Sequence, residues 1–227
     1  MSLIYDGAAG LVRTLYDKRI SGTPVLDART HFPEVNRFAA GWQDFRDEAL
    51  QIAADLNSVP RFHEVMPQQY DISANDARDW RMFILKAYGV TVARNVTRCP
   101  RLQAAVQSEP DVLSAMFSFL APGKHIPPHR GPFRGVLRFY LGLSVPLTVD
   151  GRPGTVLTID GIEHRLGDGQ WLLWDDTFRH EVRNESDVVR IALLLDIRRR
   201  GMPLDMELLS RFLIRMVGAA VWLRRPT

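Results

Sequence analysis

Apolar side chains recur along this chain with two different periods. Between residues 34 and 56, Val35, Phe38, Trp42, Phe45, Ala49, Ile52 and Leu56 fall at three- and four-residue intervals with acids and arginines between them. That is the spacing of an amphipathic helix. From Trp80 onward the pattern shortens. WRMFILKAYG, LSAMFSFLAPG, GVLRFYLGLSVP, GTVLTIDG, GQWLLWDD and DVVRIALLLDI are brief apolar runs closed by glycine, proline or aspartate turns, which read as strands. Several strands at such spacing predict an all-β sandwich or barrel with helices packed outside it. The chain then divides into a helical segment over 1–79, a β core over 80–200 and a C-terminal amphipathic helix over 201–227. In the tail, the apolar run from Phe212 to Leu223 is broken by Arg215 and falls short of the ~18 residues a bilayer span requires. It could lie in a membrane interface with its arginines at anionic headgroups, or dock on the barrel or on a second subunit; Leu3, Ile4, Leu11, Val12 and Leu15 could play the same part at the other end.

Composition narrows the class. With 227 residues, 46% of them hydrophobic, one large domain can bury a real core. The net charge is only +3, and the basic excess is local, at Arg198 to Arg200 and at Arg211, Arg215, Arg224 and Arg225. No aromatic-rich basic stripe accompanies it, so the charge points to an anionic surface and not to nucleic acid. The single cysteine, Cys99, rules out an intramolecular disulfide and a cysteine-rich metal site, and suits a reducing compartment. The first twenty residues do not read as a secretory signal. The expected location is therefore cytoplasmic, peripheral on the inner face of a membrane.

Six histidines are the first candidates for chemistry. His129 lies in PPHRG, where prolines stiffen the approach and a glycine lets the backbone pass close to a bound group. His180 follows an apolar run and an acidic turn in WDDTFRHEVRN, so two different strands of one barrel could present the two imidazoles at one mouth. Ten residues after His180, Arg190 sits inside VVRIALLLDI, and Arg138 sits inside VLRFYLGL. A guanidinium buried in such a run must find an anion, and its planar fork suits a carboxylate. Two imidazoles with an arginine ten residues after the second is the spacing of Fe(II)- and 2-oxoglutarate-dependent oxygenases. His125, four residues before His129, is assigned to a loop, because two intervening prolines forbid a helix that would bring both rings together.

PPHRGPFRGVLRFYLGLSVP, GQWLLWDDTFRHEV and RIALLLDI together resemble the aspartyl/asparaginyl β-hydroxylase family of these oxygenases, over residues 80 to 200. TPVLDARTHFPEVNRFAAGWQDFRDEAL, WRMFILKAYG and CPRLQAAVQSEP look more like its bacterial lipid A acyl-chain hydroxylase branch. The resemblance implies a double-stranded β-helix, jelly-roll and cupin-like, with flanking helices. It implies a catalytic pair, His129 and His180, holding Fe(II), with 2-oxoglutarate and O2 as co-substrates. Arg190 would hold the 2-oxoglutarate, Ser118 would assist at its carboxylate, Arg138 would line the same pocket, and Tyr140 stands where relatives often carry histidine. Asp175 and Asp176 look like a pair that orients ligands and water; read from the residues alone they are a solvated turn. Trp174 and Phe178 are packing residues.

Two positions bear on the substrate. Gly131 stands where many iron oxygenases carry an acid; the peptide-modifying members look similar in lacking it, the lipid enzymes keep it, and halogenases of the wider superfamily use such a gap for halide. Val136 stands where the peptide enzymes resemble one another in using an arginine, which favours an apolar substrate. The expected substrate is an acyl chain of lipid A or a related lipid, with peptidyl or small-molecule Asp or Asn as the alternative. A non-catalytic cupin-like binding module is the rival from another class, and a homo-oligomer is compatible with either.

Overall fold

The six apolar runs beyond Trp80 all form strands, and both faces of most of them are covered, which is why they read as nearly continuous hydrophobic segments. The computed structural model describes residues 3 to 223, with side chains from Gly7 on; the side chains of Leu3 and Ile4, and Arg224 and Arg225, lie outside the described residues. The strands are β1 (Trp80–Ala87), β2 (Val90–Thr91), β3 (Val112–Leu120), β4 (His125–His129), β5 (Val136–Ser144), β6 (Thr155–Ile159), β7 (Ile162–Arg165), β8 (Trp171–Trp174), β9 (His180–Asn184) and β10 (Arg190–Arg198). They form two antiparallel sheets, ordered β2-β1-β3-β10-β5-β8 and β4-β9-β6-β7. The fold is mainly β, a double-stranded β-helix of the jelly-roll, cupin-like kind, with helices from both ends of the chain packed around it.

The helices are α1 (Leu3–Asp17), α2 (Ala28–His31), α3 (Val35–Ala40), α4 (Trp42–Ala53), α5 (Phe62–Val65), α6 (Tyr70–Ser73), α7 (Ala93–Val96), α8 (Pro100–Gln107) and α9 (Leu204–Leu223). The expected helix over 34–56 is thus two helices, parted at Gly41, with Leu56 in a following 3-10 turn. A Cβ at Gly41 would stand 2.9 Å from the Phe45 ring. The break brings the Phe38 and Phe45 rings to 6.2 Å, and both enter the core with Phe32, Ala49 and Ile52, against Phe117, Phe139, Leu193 and Leu195 of the larger sheet.

Because side chains alternate along a strand, the other face of that sheet looks toward the smaller one. Trp80, Met82, Met116, Tyr140, Ala192 and Leu194 meet Ile126, Leu157 and Ile159 there. Ser118, Arg138, Arg190 and Asp196 occupy the same alternate positions, so the polar interruptions of three apolar strands share one face. A third core joins the chain ends: Tyr16 and Ile20 pack with Phe133, Val136, Met206 and Ile214. No helix among the described residues is long and apolar enough to cross a membrane.

Candidate active site

His129 ends β4 and His180 opens β9, and the two are register partners in the antiparallel pair. Their ring centroids stand 4.2 Å apart. Between Ile126 and His129 the register shifts by one residue on the β4 side, a bulge at Pro127 and Pro128, which have no N–H to give the ladder. His125 therefore begins a strand and does not lie in a loop: prolines exclude a helix but are compatible with a bulged edge strand. Its Nε2 lies 2.6 Å from Glu181 Oε2, which keeps it out of the His129 and His180 pair.

Each of the paired rings is held in the same way. Nδ1 of His129 lies 2.9 Å from Pro127 O, and Nδ1 of His180 lies 2.9 Å from Phe178 O. A carbonyl oxygen only accepts, so each Nδ1 carries the proton and donates it, and each Nε2 keeps a free lone pair. Burial pushes His129 down to about 4 and His180 down to about 3, the proximity of His129 adding to the second. Neutral imidazoles oriented through a backbone carbonyl are the form in which histidine ligates a transition metal. Among the described residues no group of three or more His, Cys, Asp or Glu is arranged to hold a metal ion, so the donor set on offer is this pair.

Arg190 opens β10 on the inner face and is only 2% exposed. Its Nη1 donates to Ser118 O at 3.3 Å, and its guanidinium carbon lies 5.9 Å from the centroid of the Tyr140 ring. It pairs with no carboxylate among the described residues, its Nε has no partner, and burial pushes the guanidinium below its ordinary value. Trp174 Nε1 is likewise buried without a partner, and Tyr140 Oη and Thr155 Oγ1 are buried side by side with no partner beyond each other. Ser118 Oγ accepts from Trp80 Nε1 at 3.0 Å. An unpaired buried cation is costly. With the Tyr140 ring beside it and Thr155 next to Tyr140, it makes a cradle suited to a carboxylate. Thr155 was not singled out from the sequence; the signal was its place in GTVLTI, in step with the inward-facing Leu157 and Ile159.

Arg138 differs. Its Nε lies 3.0 Å from Asp196 Oδ1, an ion pair not aligned as a hydrogen bond, and its Nη2 lies 3.6 Å from Asp176 Oδ2. Burial works against its charge, and Asp196 and Asp176 outweigh burial and hold it protonated. Its field helps depress both imidazoles, so Arg138 stands with the histidine pair and already has its anions.

The aspartates between β8 and β9 are not a solvated turn: Asp175 is 1% and Asp176 9% exposed. Asp175 locks the turn, accepting from Arg199 Nη1 at 2.7 Å and from Thr177 Oγ1 at 2.5 Å. Burial pushes Asp176 up to about 7 despite Arg138. Its carboxylate fills the space that any side chain at Gly131 would need, and Gly131 N donates to Asp176 O at 2.7 Å. Trp174 and Phe178 pack in the inner core, Trp174 also edge-on to His180 with centroids 6.2 Å apart. Val136 is buried in the third core with Tyr16, Phe133 and Met206; its apolar character serves packing there and says nothing about a substrate.

A family model described as Aspartyl/Asparaginyl beta-hydroxylase matches residues 39–200. The chain is 35% identical over 178 residues to the ornithine lipid ester-linked acyl 2-hydroxylase of Rhizobium tropici, covering 78% of this chain and 61% of that protein. It is 25% identical over 185 residues to human aspartyl/asparaginyl beta-hydroxylase, covering 74% of this chain and 22% of that one. It thus spans less than two thirds of the length of either relative. Among solved structures, a prolyl-4-hydroxylase from Pseudomonas putida is similar with a TM-score of 0.44 at 18% identity, over 72% of this chain and 88% of that one. The family match runs from the helices beneath the larger sheet to the end of β10 and takes in both histidines and Arg190, and this chain belongs to the aspartyl/asparaginyl β-hydroxylase family.

Proposed function

We propose that this chain is an Fe(II)- and 2-oxoglutarate-dependent hydroxylase that places an oxygen atom on an unactivated carbon in an acyl chain of a membrane lipid. One observation carries the cofactor assignment: two neutral imidazoles meet with their Nε2 lone pairs left over, and the inner face of the larger sheet carries a buried guanidinium that has no carboxylate. His129 and His180 would hold Fe(II), and Arg190, with Ser118, Tyr140 and Thr155 beside it, would take a carboxylate of 2-oxoglutarate. When bound, the metal and the 2-oxo acid together supply the activation of O2. The chain's own residues supply position and environment. The backbone carbonyls of Pro127 and Phe178 fix both tautomers. Met82, Met116, Leu157, Ile159 and Leu194 pack between the two sheets with apolar atoms that keep bulk water out. Asp176, near neutrality in its titration, can hold or release a proton at its carboxylate beside Arg138.

The lipid half of the proposal is supported by the Rhizobium tropici relative, whose name assigns it an ester-linked acyl chain; lipid A and other acylated lipids fall within the same chemistry. Mass spectrometry of lipid extracts from cells with and without the protein tests both halves. A gain of about 16 Da, one oxygen atom, is expected on a lipid, and it disappears together with succinate release in His129→Ala and His180→Ala. Full turnover in either histidine variant overturns the metal assignment, and an oxygen gain on a peptide Asp or Asn with no lipid shift overturns the substrate class.

A further inference from the structure

Helix α9 is apolar on two faces, and the barrel covers one of them. Met206, Ser210, Ile214 and Gly218 recur every four residues and are buried. Ser210 Oγ meets Tyr16 Oη of α1 at 2.5 Å, and the missing Cβ of Gly218 would stand 2.8 Å from Tyr88 O, so the helix backbone itself is pressed onto the barrel. The opposite face carries Leu204, Leu208, Phe212 and Met216, again every four residues and 56% to 73% exposed. Leu11 and Leu15 are exposed on the neighbouring α1. A continuous apolar stripe of this kind on a folded surface marks a docking site.

Charge identifies what docks. The described acids of the two helices are engaged: Asp17 with Arg134, Asp205 with Arg19, and Glu207 with Arg211. Lys18 and Arg215 make no ion pair among the described residues, and the sequence continues with Arg224 and Arg225. Arg211 and Arg215, one turn apart, run along an edge of the stripe. Lys18 and Arg215, uncompensated on the two segments that carry the exposed leucines and the phenylalanine, fit a lipid leaflet with anionic headgroups: the apolar side chains enter the acyl boundary and the long basic side chains reach the phosphates. A second copy of the chain on the same surface would instead set like charges against each other.

We infer that α1 and α9 together form a surface that lies on the anionic leaflet of a membrane. The surface is joined directly to the histidine pair. Arg13 of α1 donates to Gly131 O at 3.1 Å, two residues after His129; Arg134 donates to Ile20 O at 2.6 Å; and Gly135 has no room for a side chain against Ser210 of α9. The segment that follows His129 is thus held by contacts with α1, with Ile20 just after it, and with α9. The inference stands on the exposed face and not on the hydroxylase reading; for a hydroxylase of lipid acyl chains, it brings the site to its substrate.

Flotation of the purified full chain with vesicles of phosphatidylcholine alone, and of phosphatidylcholine with phosphatidylglycerol, tests it. The protein is expected to float with the anionic vesicles, to float poorly with the neutral ones, and to be released by salt. Replacing Leu208 and Phe212 together by Glu lowers the partition roughly tenfold or more, Arg215→Glu abolishes the preference for anionic lipid, and Leu50→Glu, at an exposed leucine of α4, changes nothing. Flotation of the double variant equal to the parent overturns the inference. So does a parent that fails to float and is a dimer by light scattering, which the double variant converts to monomer, since the occupant is then a second copy. Circular dichroism and melting of the variants confirm folding, and lipid-free 2-oxoglutarate turnover, unchanged in all of them, reports separately on the site.

Discussion

Gly131 and Arg190 show how much of the site is decided by single side chains and their neighbours. Gly131 stands where many iron oxygenases place an acid, and the space is taken by the carboxylate of Asp176, from the turn before β9. Gly131→Asp is therefore expected to overpack the site and not to add a ligand: a cost of about 1–3 kcal/mol, a melting temperature lower by roughly 2–4 °C per kcal/mol at this size, and ferrous affinity no tighter than the parent by calorimetric titration. Tighter iron at unchanged stability would show that the space is free. Arg190 and Arg138 differ in the sign of what their removal does. Arg190→Met takes away an unpaired buried charge, so the protein free of 2-oxoglutarate gains stability or stays level in urea, while the 2-oxoglutarate requirement rises about a hundredfold, the worth of roughly 3 kcal/mol in charge-assisted hydrogen bonds. Arg138→Met leaves Asp176 and Asp196 buried together and loses about 3 kcal/mol or more in the same titration. From sequence, both arginines were visible as charges in apolar runs; which one lacks an anion was not, because the answer lies on other strands.

At the scale of elements, apolar runs closed by turn residues mark the long strands and miss the irregular ones. β4, β7 and β9 are short and polar, and β4 contains two prolines, so no alternation marks them. The helical period in 34–56 predicts one amphipathic helix, and its division in two depends on the contact between Gly41 and Phe45. A second contact of this kind ties two helices together. The carboxylate of Glu48 on α4 accepts from Arg101 N at 2.6 Å and from Leu102 N at 3.1 Å, and so caps the first turn of α8, which Cys99 and Pro100 leave without a side-chain cap of their own. Glu48→Ala should cost about 1–2 kcal/mol, read as a lower denaturation midpoint at unchanged slope, and a midpoint equal to the parent would mean that water caps α8 equally well.

The whole molecule carries the site's electrostatics into its stability. Burial holds His129 down to about 4 and His180 down to about 3 in the folded chain, against an ordinary 6.5. Between those limits the unfolded chain binds more protons, so the metal-free protein loses stability as pH falls from about 6.5 toward 4. Asp176 acts with the opposite sign: held up to about 7 against 3.8, it keeps its proton in the folded state and favours folding as pH falls through that window. Metal-free Asp176→Asn should therefore show a steeper drop in melting temperature between pH 7 and pH 5 than the parent, and a shallower drop would reverse the assigned sign. What the sequence determined by itself follows from local chemistry: the strands and their covered faces from short apolar runs closed by turn residues, the family and its two imidazoles from motifs that are each continuous in the chain. What only the tertiary structure decided is who meets whom. Antiparallel pairing sets His129 opposite His180, and β5 lies beside β10 so that Arg138 faces Asp196, while Arg190, in the same kind of strand, is left with a backbone carbonyl and an aromatic ring. Strand order is a property of the folded core as a whole, so two arginines that look alike in the sequence acquire opposite electrostatic surroundings.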